Sequence, residues 1–183
     1  MQRVMGRPKD LQKRQAILQA ATQLFLELGY EGSSMDKIAK AAGVSKLTVY
    51  NHFQDKAHLF SAAIELACEQ RLPKYLFHLD ERTTSDILFD LGCHFLHTLY
   101  SPEAIKLTLL MSSLVQTNAD LVHMFFEAGP KRTHQNIKEL FEQLKQHQRL
   151  LIEDPHEAAQ LYISLLTDSH YDHVLWNLQP VPK

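Results

Sequence analysis

Residues 41–53, AAGVSKLTVYNHF, place several hydrogen-bonding side chains on a segment long enough for only a short helix. Successive residues of a helix are rotated by about 100°, so Val49 and Phe53 share one face while Leu47 and Asn51 point away from it. A helix face that only meets water is usually richer in Glu and Lys. This outer face therefore indicates a surface that contacts a specific partner.

The major groove of DNA suits these side chains. Asn51 can pair bidentately with adenine, Leu47 can contact a thymine methyl group, and Thr48 can bond to base edges or phosphates. Groups that suit phosphate oxygens lie nearer the rim of the helix: Lys46, His52 and the hydroxyl of Tyr50. Phosphate contacts would supply affinity and base contacts would supply specificity. The alternative is a short packing helix whose Tyr and Asn side chains face water.

Apolar residues recur at helical spacing through nearly all of the chain, and no stretch alternates as a strand would. The first stripe comprises Ile17, Ala20, Ala21, Leu24, Phe25 and Leu28. A second short stripe ends at Gly43, and the helix of the opening segment follows it. Two short helices joined by a glycine turn are typical of a helix-turn-helix. The sequence predicts an all-α protein with a three-helix unit over residues 1–60 and a larger helical body over 61–183.

Capping residues and breakers predict where the helices begin and end. The expected starts are Ser33 or Ser34, Ser45, Asp55, Thr83 or Thr84, Ser101 and Asp154. Gly29 is expected to end the first helix, and Pro73 to break or kink the fourth. A long pattern over about 119–150 is interrupted at Gly129-Pro130, and a last helix is expected from Pro155 to Trp176.

The charge is unevenly distributed along the 183 residues, although the net charge is only −2. Residues 1–60 hold nine Lys or Arg against five Asp or Glu, which gives +4 and leaves −6 for the remainder. A basic first part suggests an anionic partner such as nucleic acid, although scatter in a small sample would give the same difference.

Several other classes are disfavoured by the sequence. The N-terminus lacks the apolar segment of a secretory signal, and no run approaches the ~20 apolar residues that span a bilayer. Cys68 and Cys93 match no metal or redox spacing and are expected to be buried thiols in a reducing cytosol. A cytoplasmic protein without membrane association is therefore expected.

The segment RQAILQAATQLFLELGYEGSSMDKIAKAAGVSKLTVYNHFQDKAHLFSAAIE resembles the DNA-binding domain of the TetR family of bacterial transcriptional regulators. The resemblance covers about residues 10–65 and includes the Gly-Tyr connector, the Ala-Gly-Val-Ser turn and the Lys-x-x-Leu-Phe that opens the fourth helix. Leu47 is one departure, because many members carry glycine or alanine there, and it leaves the base preference open.

The resemblance implies a role for eight residues. The recognition-helix positions that meet DNA are Lys46, Leu47, Thr48, Tyr50 and Asn51, and the positions that usually hold phosphates are Ser34, His52 and Lys56. Ser34 and Lys56 also lie at helix N-termini, where free amides and the helix dipole favour anions.

The resemblance also implies a homodimer that binds double-stranded DNA at a palindromic operator, usually as a repressor. The C-terminal body would bind a small-molecule effector and the protein would then release DNA. The last helix, about 155–178, resembles one of the family's two dimerisation helices. Most members have a further helix, so either the dimer face is reduced or the sequence is part of a longer chain.

Two features of the sequence remain open between a functional and a structural interpretation. Residues 6–9, Gly-Arg-Pro-Lys, form either a basic arm for an adjacent minor groove or a tail without DNA contacts. The aromatic and methionine side chains of the body line an effector pocket or, more often, belong to the core: Phe77, Phe89, Phe95, Tyr100, Met111, Met124, Phe125, Phe126, Tyr171 and Trp176.

Metal binding, catalysis and non-specific DNA coating are disfavoured. His94 and His97 share a face, and Asp168, Asp172 and His173 could converge, but no third ligand is assured. Asp168-Ser169-His170 contains the residue types of a catalytic triad, yet neighbours on a helix point about 100° apart and cannot form the relay. The modest charge of the first 60 residues argues against non-specific coating, which depends on many phosphate contacts. We therefore expect neither an enzyme nor a metal or cofactor site.

Overall fold

The computed structural model describes residues 8–167 and 169–181. The elements are α1 Pro8–Gly32, α2 Met35–Ala41, α3 Lys46–His52, α4 Lys56–Arg71, a 3₁₀ turn Lys74–Phe77, α5 Thr84–Leu99, α6 Pro102–Leu114, α7 Ala119–Ala128, α8 Pro130–Gln146, α9 Pro155–Leu166 and α10 Ser169–Leu175. No strand occurs in these described ranges, so the all-α prediction is confirmed.

Contacts divide the chain into two compact units, the first ending at Ala67 and the second beginning at Cys68. Helix α4 runs through this division. The first unit packs α1–α3 and the start of α4 around a core of completely or almost completely buried side chains: Ile17, Ala21, Phe25, Ile38, Val49, Phe53, Leu59 and Phe60.

Side-chain caps begin most of the helices where the sequence predicts them. Ser34, Ser45 and Thr83 each accept a hydrogen bond from a backbone N–H in the first turn of the following helix. Ser101 and Asp154 do the same, with a proline at the first helical position in both cases. Each cap satisfies an N–H that has no partner within its own helix, which fixes the start of the helix.

Two helices of the second part differ from the sequence prediction. The expected last helix from Pro155 to Trp176 is wrong as a single element, because α9 ends at Leu166 and α10 begins at Ser169. Thr167 leaves the helical region at φ −106°, ψ 62°, and both its N–H and its hydroxyl bond to the carbonyl of Ile163. The break predicted at Gly129 is confirmed, since that residue lies at φ −121°, ψ −83° between α7 and α8.

The core of the second unit is built from the 3₁₀ turn, α5, α8 and α9. Its buried side chains include Leu76, Phe77, Ile87, Leu91, Phe95, Ile137, Leu140, Phe141 and Leu144. The core interpretation of the aromatic residues is wrong for three of them, since Phe89 is 74%, Trp176 65% and Phe126 45% exposed. Helical spacing reports which residues share a face, but not whether a neighbour covers that face.

The expectation of two buried thiols is also wrong. Cys93 is exposed on α5 and Cys68 is half-buried on α4. Neither cysteine forms a disulfide bond in the part of the chain that the structure describes.

Candidate nucleic-acid interface

A tight turn joins α2 to α3 and sets the direction of the recognition helix. Gly43 takes φ +66°, a left-handed conformation that costs glycine little. The N–H groups of Gly43 and Val44 return to the carbonyls of Lys40 and Ala39, at 3.3 and 3.0 Å, which closes the end of α2. The glycine at this position is therefore required by the backbone of the helix-turn-helix.

Ser45 begins α3 by capping it. Its Oγ accepts a 3.1 Å hydrogen bond from the backbone N–H of Thr48 and lies 2.8 Å from the Thr48 hydroxyl. Thr48 is half-buried, and its hydroxyl already has this local partner. Among the predicted base-reading residues, Thr48 is therefore the one whose hydrogen bonds serve the cap of its own helix.

The two faces of α3 differ as the helical wheel predicts. Val49 is 0% and Phe53 4% exposed, and both belong to the core of the first unit. On the opposite face, Leu47 is 69% and Tyr50 42% exposed, and Asn51 is exposed beside them. Burying the inner face holds the short helix in place, while the outer face keeps an amide, a phenol and an isobutyl group available for a partner.

Lys46 begins this outer face and pairs with a residue of the preceding helix. Its Nζ lies 2.9 Å from an Asp36 carboxylate oxygen, and both side chains are exposed. The hydrogen bond to Asp36 and the attraction of its charge raise the pKa of Lys46. Asp36 is ten residues away and does not share a helix with Lys46, so helical spacing in the sequence did not reveal it.

The three residues expected to hold phosphates lie in three different settings. Ser34 is exposed at the start of α2, where its Oγ accepts from the N–H of Lys37 at 3.3 Å. His52 has a side chain only 12% exposed, with Nε2 3.2 Å from an Asp10 carboxylate oxygen of α1. The side chain of Lys56 is 24% exposed, and its Nζ donates a 2.9 Å hydrogen bond to the backbone carbonyl of Tyr30. Of these three residues, only Ser34 is exposed on the surface.

The predicted site residues therefore separate into an outer group and an inner group. Lys46, Leu47, Tyr50 and Asn51 form an exposed surface on α3, which we call the reading face. His52 and Lys56 are drawn into the fold. Residues 6–9, which the sequence leaves open between a basic arm and a tail without DNA contacts, lie largely outside the described residues: Gly6 and Arg7 are not described, nor is the side chain of Pro8.

No group of three or more His, Cys, Asp or Glu in residues 8–167 and 169–181 is placed to hold a metal ion. Asp168, a candidate metal ligand and triad member in the sequence, lies outside the described residues. Within the described helices, none is long and apolar enough to cross a membrane.

A helix-turn-helix with a buried inner face and an exposed, chemically mixed outer face is the arrangement that DNA-binding proteins of this class use. The chain matches the family described as "Bacterial regulatory proteins, tetR family" over residues 17–63. It matches "AefR-like transcriptional repressor, C-terminal domain" over residues 86–183, more than half of its length. The chain belongs to the TetR family of DNA-binding transcriptional regulators.

Curated relatives share mainly the first unit. The uncharacterized HTH-type transcriptional regulator YdeS of Bacillus subtilis (strain 168) is 41% identical over 73 residues, 40% of this chain and 37% of that protein. The HTH-type transcriptional regulator AcrR of Shigella flexneri is 48% identical over 54 residues, 30% of this chain and 25% of that protein. The chain thus spans well under half the length of these curated relatives.

Solved structures resemble the chain over nearly its whole length. A TetR-family transcriptional regulator from Mesorhizobium loti MAFF303099 has a TM-score of 0.73 at 26% identity, covering 97% of this chain and 89% of that one. The flavonoid-responsive regulator FrrA has a TM-score of 0.69 at 31% identity, covering 93% and 87%. The helical body after the DNA-binding unit therefore also follows the family fold.

Proposed function

We propose that the protein is a sequence-specific repressor that binds a palindromic operator as a homodimer and releases it when a small-molecule effector binds. The observation that carries the proposal is the reading face: Leu47 is 69% exposed on a helix whose opposite face, at Val49, is 0% exposed. An apolar side chain exposed beside an amide is typical of a helix face that contacts bases, whereas a face that contacts only water usually carries charged side chains.

The exposed groups of α3 can be assigned to separate tasks on DNA. Asn51 would read adenine and Leu47 a thymine methyl group, which supplies specificity. Lys46 and the hydroxyl of Tyr50 would bind phosphates, which supplies affinity and fixes the register. Thr48 and Ser34 would add hydroxyl contacts at the start of the two helices, close to their capping hydrogen bonds.

Exposed apolar side chains near the end of the chain support the dimer. Leu161 and Leu165 are one helical turn apart on α9 and are 65% and 80% exposed. Trp176 and Leu178, which follow α10, are 65% and 66% exposed. Large exposed apolar side chains in one part of a protein mark an interaction surface, and a second copy of the chain would cover this one. Two reading faces would then enter successive major grooves, about 34–36 Å or a multiple of that distance apart.

Repression and effector release are supported by the relatives. The second unit matches a family described as AefR-like transcriptional repressors. FrrA, which is 31% identical over most of the chain, is a flavonoid-responsive regulator. We propose that the helical body takes a small organic effector, and flavonoids are the first class to test. Release requires that the effector bind the DNA-free arrangement more tightly than the DNA-bound one.

We further propose that the protein acts in the cytoplasm and that it has no catalytic activity, cofactor or membrane partner. This part of the proposal follows the family, whose members are transcriptional regulators.

Selection from a random duplex library at a fixed salt concentration tests the proposal. We expect a palindrome to be enriched and to be bound about 10³-fold or more tightly than bulk DNA. Addition of flavonoids to the enriched complex then tests release by fluorescence anisotropy. Binding without enrichment of any sequence would contradict the sequence-specific role.

A further inference from the structure

Lys56, at the start of α4, is held by residues 29–34, which run from the kink of α1 at Gly29 to the start of α2 and which we call the connector. Its Nζ donates a 2.9 Å hydrogen bond to the backbone carbonyl of Tyr30 and lies 4.0 Å from the centroid of the Tyr30 ring. A carboxylate oxygen of Glu31 lies 3.8 Å from the same ammonium. One ammonium therefore meets a carbonyl, a ring face and a carboxylate, all from two consecutive residues of the connector.

The half-buried Tyr30 ring under the ammonium packs against the core of the first unit. Tyr30 lies 5.8 Å from Phe25 in a stacked arrangement and 5.4 Å from Phe60 in an edge arrangement, measured between ring centroids. Phe25 and Phe60 are 3% and 0% exposed. The cation therefore lies on a fixed ring, and moving it to a phosphate would give up both the carbonyl and the cation–π contact.

The connector needs such support because the chain leaves the helix at Gly29, which takes φ 70°, ψ 175°. Beyond this kink, side chains donate to the carbonyls of the connector, and the Tyr30 carbonyl also accepts a 3.3 Å hydrogen bond from the backbone N–H of Ser33. Ser33 Oγ lies 2.8 Å from the Gly29 carbonyl, and Lys37 Nζ lies 2.8 Å from the Gly32 carbonyl. Lys56 donates to the Tyr30 carbonyl from 26 residues away. Of the three side chains, Lys56 is the one that links the connector to a helix distant in the sequence.

We propose that Lys56 is a positioning residue, which fixes the connector before α2 on the start of α4 and so orients α2 and the reading face, and that it is not a phosphate contact. The proposal rests on the DNA-binding function proposed above. It reverses the role that the family resemblance suggests for this lysine. It leaves Lys46 as the exposed cation at the start of the reading face.

The salt dependence of DNA binding separates the two roles. A lost phosphate contact lowers the slope of log K against log salt by about 0.9 and weakens binding to all sequences equally. For Lys56→Met, we expect an unchanged slope, an operator affinity reduced about 10-fold, and little change on a random duplex. Lys46→Met is the matched control, since the same change at an exposed lysine should lower the slope.

A second variant keeps the test valid if Lys56→Met folds poorly. Tyr30→Leu removes the ring but leaves every cation of the protein in place. A positioning role predicts that Tyr30→Leu also weakens operator binding at an unchanged slope, and that its effect and that of Lys56→Met are not additive. Circular dichroism at the assay temperature confirms that each variant compared is folded.

Two results would overturn the inference: a slope lowered by about one in Lys56→Met, or full operator affinity in Tyr30→Leu. Failure of the proposed function has a different signature, because the wild-type protein itself would then show no preference for any sequence.

Discussion

The ammonium of Lys46 and the carboxylate of Asp36 form an ion pair of 2.9 Å across the turn of the helix-turn-helix. Asp36 lies in the first turn of α2 and Lys46 is the first residue of α3. The pair joins the two helices at their exposed ends, next to the reading face. A phosphate approaching this end of α3 would therefore compete with an internal carboxylate for the same ammonium.

Neutralising Asp36 is expected to strengthen DNA binding. Asp36→Asn frees Lys46 and removes a negative charge near the proposed interface. Exposed ion pairs are weak, so we expect affinity for operator and random duplex alike to rise about 1.5- to 5-fold at low salt. Fluorescence anisotropy measures both. Glu27→Gln, which neutralises an exposed acid of α1, is the matched control, and an equal gain in that variant would contradict the local explanation.

Removal of the Lys46 ammonium is expected to have the opposite effect on all sequences. Lys46→Ala should weaken binding to operator and non-operator DNA alike and lower the slope of log K against log salt by about one. The slope is obtained from a titration series in increasing salt. An unchanged slope would remove Lys46 from the phosphate contacts.

Replacement of Asn51 should change specificity. The Asn51 side chain is exposed on the reading face, and an amide can form two hydrogen bonds with adenine. Asn51→Ala should cost about 1–3 kcal/mol on the operator and relax the preference at one base pair. Selection and sequencing with the variant measures that preference. A uniform loss over all base pairs would show that Asn51 does not read a base.

Substitutions at Val49 and Leu47 should have separate effects, the first on stability and the second on DNA binding. Val49 is 0% exposed, so Val49→Ala should lower the free energy of unfolding by about 1.5–3 kcal/mol. Leu47 is 69% exposed, and Leu47→Ala should change that free energy by less than about 0.5 kcal/mol while weakening operator binding. Urea unfolding and anisotropy distinguish the two effects. Equal destabilisation by both changes would contradict the assignment of the two faces.

Tyr162 should make the second unit sensitive to alkaline pH. Its hydroxyl donates a 2.6 Å hydrogen bond to the Leu88 carbonyl, next to Gly92, where a Cβ would lie only 3.0 Å from the hydroxyl oxygen. Burial, followed by the charge of Cys93, raises the pKa of Tyr162 from 10.0 to about 12. The unfolded chain would therefore release this proton first, so the stabilisation is complete below pH 10.0 and is lost as the pH rises towards about 12.

Tyr162→Phe tests this dependence. The variant loses the hydrogen bond, which costs about 1 kcal/mol at neutral pH, and should lose less stability than the wild type between pH 10 and 12. Urea unfolding at a series of pH values measures the difference. Tyr75→Phe, which alters a tyrosine that is 55% exposed, is the control. A parallel decline of wild type and Tyr162→Phe would contradict the role of this hydroxyl.

Local signals in the sequence were sufficient for most of the fold. The serine and aspartate caps, the glycine turn and the spacing of Val49 and Phe53 each act within a few residues, and the structure confirms the elements that they predict. The same signals placed Phe89 and Trp176 in the core although both are exposed, because exposure depends on whether another helix covers the face. The single last helix was wrong for a similar reason, since Thr167 closes α9 with bonds that periodicity does not report.

The sequence by itself determined the helix-turn-helix, the family and the side chains of the reading face, because these follow from periodicity, capping and a contiguous motif. Only the tertiary structure decided which partners three of the predicted phosphate-binding side chains meet. Lys46 meets Asp36, His52 meets Asp10 and Lys56 meets Tyr30, and each pair joins residues of different elements. A basic side chain interacts with whichever oxygen or ring the fold brings within a few ångströms, and that distance is set by packing rather than by sequence spacing.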